Sequence, residues 1–240
     1  MKKTFKEIKP KKVKPLFKAY RACIKAGSKK VTYHYVGKHF EKGSLILCNH
    51  ESTKGPLAWD FFCDVPVRLL GTEEMNSGLR RMYKYQSETY YHEKKHWNLF
   101  LSKIYCLLAS PMTNWFYKGL SLISIREGFQ FKKTITDVYT SLHDFKESIV
   151  IFPEDSTRGY LEQLDGFKEG FLLICEYCYK KGYDIPLVVA YYRKKDSVMI
   201  VDEPIMYSTL KERHLSRKEM AETLKDRCNE LGRSVVPFDK

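Results

Sequence analysis

Short apolar runs alternate with amphipathic segments along most of the chain. The runs at 45–48, 148–152 and 186–192 are bounded by glycine, proline or charged residues, which predicts buried strands. The segments 131–145 and 167–181 carry apolar residues at helical spacing. Strands alternating with helices predict one α/β domain with a mixed, largely parallel sheet flanked by helices. The other predicted elements are helices at 12–26, 57–62 and 216–232 and strands at 31–40, 67–71, 122–126 and 199–201.

The most apolar stretch, 99–125, does not have the pattern of a membrane span. Lys103 and Lys118 interrupt it, and Pro111 predicts a break in any single helix. Only 14 residues lie between the two lysines, whereas a spanning helix needs about 20. The stretch therefore predicts a buried core helix or, less favoured by the sequence alone, a segment lying in a membrane interface with Trp115 as an anchor.

Positive charge is concentrated at the beginning of the chain. Residues 1–44 carry 14 Lys and Arg and two acidic residues, and the other 196 residues carry 28 against 27, so the total of +13 divides into +12 and +1. We therefore divide the chain into a basic amphipathic leader, 1–30, and an α/β domain, 31–240. A polybasic segment binds a polyanion or serves as a solvated tail. An anionic membrane surface would attract it by about 1 kcal/mol per cation.

Nucleic acid is the other polyanion that such a leader would bind. The nearly neutral body argues against it, so we rank this alternative last and expect no nucleic-acid partner. The chain has seven cysteines, an odd number without regular spacing, and its first residues do not resemble a signal peptide. These features predict reduced thiols in the cytoplasm. Together with the basic leader and the apolar stretch 99–125, they predict a cytoplasmic protein associated peripherally with the inner face of a membrane.

Reactive or charged side chains follow three of the predicted strands. His50 follows 45–48, Arg126 ends 122–126, and Glu154, with Arg158 after it, follows 148–152. Ligands of open α/β sheets bind beyond the carboxyl ends of the strands. A neutral imidazole can take a proton from an alcohol, a carboxylate can orient it, and Arg can bind phosphate. The pattern predicts acyl transfer to the hydroxyl of a phosphate-bearing acceptor.

Five short segments, in chain order, resemble the motifs of the phospholipid/glycerol acyltransferase family, whose best-known members acylate lysophosphatidic acid. The resemblance covers about 36–204, most of the chain. The segments are 48–52 (Cys-Asn-His-Glu-Ser, like Asn-His-x4-Asp), 124–128 (Ser-Ile-Arg-Glu-Gly), 151–158 (like Phe-Pro-Glu-Gly-Thr-Arg), 167–170 (Phe-Lys-Glu-Gly) and 184–188 (a proline-led apolar strand).

The resemblance implies an O-acyltransferase similar to 1-acylglycerol-3-phosphate acyltransferases. Its donor would be acyl-CoA or acyl-carrier protein, its acceptor a lysophospholipid, and it would need no cofactor and no metal. The implied catalytic residues are His50 as general base with Glu154 or Asp60, and the implied substrate-binding residues are Arg126, Arg158, Asn49 and Ser52.

The chain departs from the family pattern in three places. The aspartate five residues after the histidine is replaced by Gly55, the third motif has Asp155-Ser156 in place of a single Gly, and 73–117 is long, as if inserted. Because an orienting acid strongly supports general-base chemistry, either Asp60 or Glu154 replaces the missing aspartate, or the protein is an inactive lipid-binding relative.

Overall fold

The computed structural model describes residues 7–154 and 161–235, and its core is one mixed sheet. The strand order is β1-β7-β6-β2-β5-β3-β4, with β8 paired to β6. β6 pairs antiparallel with β7 and β8, and the other pairs are parallel. The predicted fold class is thereby confirmed. The strands are β1 (Thr32–Tyr35), β2 (Leu45–Cys48), β3 (Val67–Thr72), β4 (Ile123–Ile125), β5 (Ser148–Ile151), β6 (Pro186–Arg193), β7 (Val198–Val201) and β8 (Ile205–Met206).

Helices cover both faces of this sheet. One face packs on α5, α6 and α8, and the other packs on α1, α2 and the end of α4. Strand β2 is fully buried because its side chains alternate between the two faces of the sheet. Leu45 and Leu47 enter the core under α5, α6 and α8, and Ile46 and Cys48 enter the core under α1, α2 and the end of α4. The helices are α1 (Pro15–Gly27), α2 (Lys54–Phe62), α3 (Leu79–Lys84), a π-helical segment (Tyr85–Lys94), α4 (Leu99–Leu120), a short 3₁₀ turn (Gly128–Gln130), α5 (Phe131–His143), α6 (Gly170–Lys180), α7 (Tyr207–Lys211) and α8 (Arg217–Arg233).

The predicted break at Pro111 is wrong. Helix α4 runs through this residue as one 22-residue helix, and the Asn98 side chain caps it by accepting hydrogen bonds from the backbone N–H groups of Phe100 and Leu101. Pro111 lies on the exposed face, where water can hydrate the carbonyl that loses its helical partner. Within the described parts of the chain, no helix is long and apolar enough to cross a membrane.

Other elements differ from the expectations mainly in length. The strand expected over 31–40 is reduced to β1, and the helix expected over 167–181 begins at Gly170. The pair β8 and α7 had no sequence prediction. At the beginning of the chain, α1 packs on the body through Phe17, which is buried against Gly119, with the Trp115 ring at a centroid distance of 5.4 Å.

Candidate functional site

His50 and Glu154 lie side by side at the carboxyl edge, the edge of the sheet where the parallel strands β2, β5, β3 and β4 end. In the register of β2 and β5, Leu47 is paired with Ile151, so both residues lie three positions beyond a paired residue. The Glu154 carboxylate accepts a hydrogen bond from the His50 backbone N–H. The Phe152 ring packs edge-on to the imidazole, with 4.8 Å between ring centroids. The sheet therefore brings together the expected base and one candidate acid.

Burial keeps the imidazole of His50 neutral. Desolvation lowers its pKa from 6.5 to about 4, although hydrogen bonds to the backbone of Ser52 and to its own backbone oppose the shift. The loop that supplies these contacts has left-handed backbone at Glu51 and Ser52, with φ of 43° and 59°. At neutral pH the imidazole is thus in the form that accepts a proton.

Burial favours the neutral form of Glu154 as well, which for a carboxyl group means a raised pKa. Only 8% of this residue is exposed, and desolvation raises its pKa from 4.5 to about 7. The N–H of His50 counteracts the rise, and the negative charge of Glu51 adds to it. Near pH 7, protonated and ionised forms of this carboxyl are therefore both present, a property common among catalytic acids and bases.

This raised pKa gives a prediction for stability against pH. Since folded Glu154 holds its proton up to about pH 7 and the unfolded chain releases it near 4.5, the free energy of unfolding falls as the pH rises through that window. Relative to Glu154→Gln, the wild type is expected to lose about 2 kcal/mol between pH 5 and pH 8. Urea unfolding of both proteins at the two pH values measures this difference. The lowered pKa of His50 makes stability rise with pH in both proteins, so its contribution cancels in the comparison. Equal pH dependence of the two unfolding free energies would contradict the raised pKa of Glu154.

Asn49 is held by the backbone of the neighbouring strand. Its side-chain amide donates to the Tyr192 carbonyl at 3.0 Å and accepts from the Tyr192 N–H at 2.6 Å, and the residue is 1% exposed. These bonds continue the β2–β6 pairing beyond Cys48 and fix the position from which His50 projects. A positioning role therefore accounts for Asn49, and contact with substrate stays a prediction. No sequence signal points to Tyr192, because the contact is made by its backbone.

Arg126 follows β4 on the same edge but is surrounded by acidic side chains. Its guanidinium donates to Asp137 of α5 at 3.1 Å and lies 3.9 Å from Glu73, which follows β3. Asp137 also binds Lys133 at 2.6 Å. β4 is three strand spacings from β2, or about 14 Å. A phosphate at Arg126 would have to share the guanidinium with Asp137, a partner that an amphipathic pattern over 131–145 does not reveal.

Asp60 is at the other edge of the sheet. Its carboxylate, 1% exposed, binds Lys11 at 2.6 Å and Arg21 at 3.2 Å. The Lys11 ammonium also donates to the carbonyl of Val67, the first residue of β3, so this cluster lies where the parallel strands begin. The distance to His50 along the strands is on the order of 15 Å. The structure thus does not bring Asp60 to the base, and instead uses it to hold the leader.

Removing this charge tests the structural role. Asp60→Asn is expected to lower the free energy of unfolding by about 1–2 kcal/mol, because Lys11 and Arg21 lose their charged partner. Chemical unfolding measures the loss, with Asp226→Asn on the exposed surface of α8 as a control that changes stability by less than about 0.5 kcal/mol. An Asp60→Asn variant as stable as the wild type would contradict this structural role.

Gly55, at the position where the motif that 48–52 resembles has an aspartate, has no room for a side chain. A Cβ there would lie 2.4 Å from the carbonyl oxygen of His50 and 3.1 Å from that of Asn49. The loop from β2 thus packs directly on the first turn of α2, and an acid reaching the imidazole from this position is excluded by the backbone. Glu154 is the candidate acid that the sheet places beside His50.

Arg158 and the inserted Asp155-Ser156 lie outside the described residues. In the parts of the chain that the structure does describe, no three His, Cys, Asp or Glu side chains are grouped to hold a metal ion. No known family model matches the chain, and no curated protein is significantly similar to it. The case for function therefore depends on the residues themselves.

Proposed function

We propose that this protein is an O-acyltransferase that moves a fatty acyl group from an acyl thioester to the hydroxyl of a lysophospholipid or another glycerol-phosphate-type acceptor. The observation that carries the proposal is the pair at the carboxyl edge, a neutral, partly buried His50 beside Glu154. The motif resemblance supplies the substrate class, and acyl-CoA or acyl-carrier protein is the proposed donor.

The reaction begins when a neutral nitrogen of His50 accepts the proton of the acceptor hydroxyl. The oxygen attacks the thioester carbonyl and forms a tetrahedral intermediate. The attack has formed the new C–O bond, so collapse of the intermediate re-forms the C=O bond of the ester and breaks the C–S bond, and the imidazolium returns the proton to the departing thiolate sulfur. Ionised Glu154 stabilises the imidazolium that exists between these steps, because opposite charges in a buried site attract strongly.

Acceptor binding is assigned to the arginines. Arg158 is proposed as the main phosphate ligand, since the third motif places it after Glu154. Arg126 contributes a second set of planar donors, although its contact with Asp137 makes it the weaker of the two. Ser52, half-buried in the loop after His50, is proposed to contact the acceptor near the reacting hydroxyl. The reaction would take place at the inner, cytoplasmic face of a membrane, with the protein associated peripherally.

A lipid-binding protein without catalysis is the second candidate. The packing at Gly55 favours it, because the family's orienting acid cannot be present there. Such a protein would bind lysophospholipid or acyl donor and make no product.

Acyl transfer from labelled acyl-CoA and acyl-carrier protein to a panel of lysophospholipids tests the proposal. Labelled diacyl product from the wild type establishes the activity and its donor. Binding of lysophospholipid without any product from either donor would overturn the enzyme proposal and leave the binding protein.

A further inference from the structure

Helix α4 turns the wrong residues inward for a helix of a water-soluble protein. Four of its buried positions lie four residues apart and are small or polar: Ser102, Cys106, Ser110 and Asn114. The fifth, Leu120, joins the hydrophobic core at the end of the helix. They pack on the π-helical segment and the loop before α3, where Ser110 donates to Gln86 at 2.8 Å and Asn114 donates to the Ser77 carbonyl at 3.0 Å. Up to Asn114, the inner contact of α4 is therefore made by small and polar side chains.

The large apolar side chains of α4 point outward. Leu108 is 79% exposed and Phe100 70% exposed, and the exposed series continues along the helix. A 22-residue helix is about 33 Å long, so these side chains form a long apolar stripe of a kind that monomeric proteins rarely leave in contact with water. We call the following set the α4 stripe: Phe100, Leu101, Ile104, Leu107, Leu108, Met112 and Trp115.

The charged side chains that α4 and α1 themselves carry are all basic. Neither α4 nor α1 contains an acidic residue, and exposed Lys103 and Lys118 lie on α4 itself. α1 packs on the C-terminal end of α4 through Phe17, and it adds the exposed cations Lys18 and Lys25 to this region. Apolar side chains flanked by lysines, with Trp and Tyr at the boundary, are typical of helices that lie in a membrane interface.

We propose that the α4 stripe is a membrane-docking surface that lies in the plane of an anionic bilayer, with its apolar side chains at the boundary between headgroups and acyl chains. The lysines then contact anionic headgroups, each adding to the attraction. The polar inner face of α4 explains why the helix docks and does not span. The inference takes its biological purpose from the proposed lipid substrate, but its physical basis is the surface alone.

Flotation with phosphatidylcholine vesicles, with and without phosphatidylglycerol, tests the surface in the absence of donor and acceptor. The full-length wild type is expected to float with anionic vesicles and to be released by salt. Leu108→Asp should weaken vesicle partitioning by about tenfold or more, since transfer of one leucine side chain from water contributes that much. The matched control is Val235→Asp, which alters an equally exposed apolar residue after α8, the helix on the opposite face of the sheet, and should float like the wild type.

Three outcomes would overturn the proposal. Leu108→Asp could float as well as the wild type, both could fail to float, or the stripe could be a contact between two copies of the chain. In the last case sedimentation would show a dimer that Leu108→Asp dissociates, without vesicle binding by either protein. Flotation does not depend on acyl transfer, so the two proposals fail separately. A protein that floats as expected but makes no product in the acyl-transfer assay would contradict only the proposed reaction.

Discussion

In the acyl-transfer assay, His50→Ala is expected to lower turnover about 10³-fold, the usual contribution of a general base. The imidazole is the group at the carboxyl edge that is neutral at working pH, because burial lowers its pKa to about 4. Without it, the acceptor hydroxyl must lose its proton to water. Single-turnover rates with saturating donor and acceptor measure the change in the chemical step, separate from substrate binding.

The matched control is His143→Ala at the C-terminal end of α5, a partly exposed histidine outside the proposed site, which should keep wild-type turnover. Circular dichroism and thermal unfolding establish that both variants are folded. If His50→Ala turned over as fast as the wild type, His50 would not be the base, and Glu154, with its pKa near 7, would be the next group to replace.

The second large effect concerns Gly55→Asp, which introduces the aspartate found at this position in the acyltransferase motif that 48–52 resembles. We expect the free energy of unfolding to fall by about 3 kcal/mol, the upper range for overpacking, because the new Cβ would lie 2.4 Å from the His50 carbonyl oxygen. Turnover should fall as well, since the loop that holds the imidazole must move. Urea unfolding and the acyl-transfer assay measure the two effects.

Gly78→Asp provides the comparison. Gly78 precedes α3, a Cβ there would have no other atom within 4 Å, and an aspartate at a helix N-cap is favourable. It should leave stability equal or slightly higher. A stable Gly55→Asp variant with increased turnover would instead mean that the loop after β2 opens and admits the acid to His50.

The juxtaposition of His50 with Glu154 could be predicted, because strands with buried apolar runs have recognisable ends and parallel neighbours end at one edge. The ion-pair partners of Asp60 and Arg126 could not be predicted from the sequence. Asp60 is near His50 in sequence, but α2 carries it to the opposite edge and to Lys11, 49 residues away. Such ion pairs depend on how helices pack, and a periodic pattern does not contain that information.

The contact at Gly55 and the orientation of α4 also depend on tertiary packing and could not be predicted from the sequence. The tight contact at Gly55 depends on the path of a loop with left-handed backbone at two non-glycine residues, which local preferences disfavour. The orientation of α4 was equally hidden, since its apolar residues would ordinarily be assigned to the core. The structure instead buries the small polar side of that helix, and no count of apolar residues distinguishes the two orientations.

The attachment of the leader has a consequence for how its charge can be studied. A truncation that removes residues 1–30 would delete Lys11 and Arg21 and leave the Asp60 carboxylate buried without its cations. It would also remove Phe17 from its contact with Gly119. Deletion would therefore change the integrity of the fold and the electrostatic attraction at the same time. Charge reversal at exposed Lys14 and Lys18 changes the attraction while the leader stays attached.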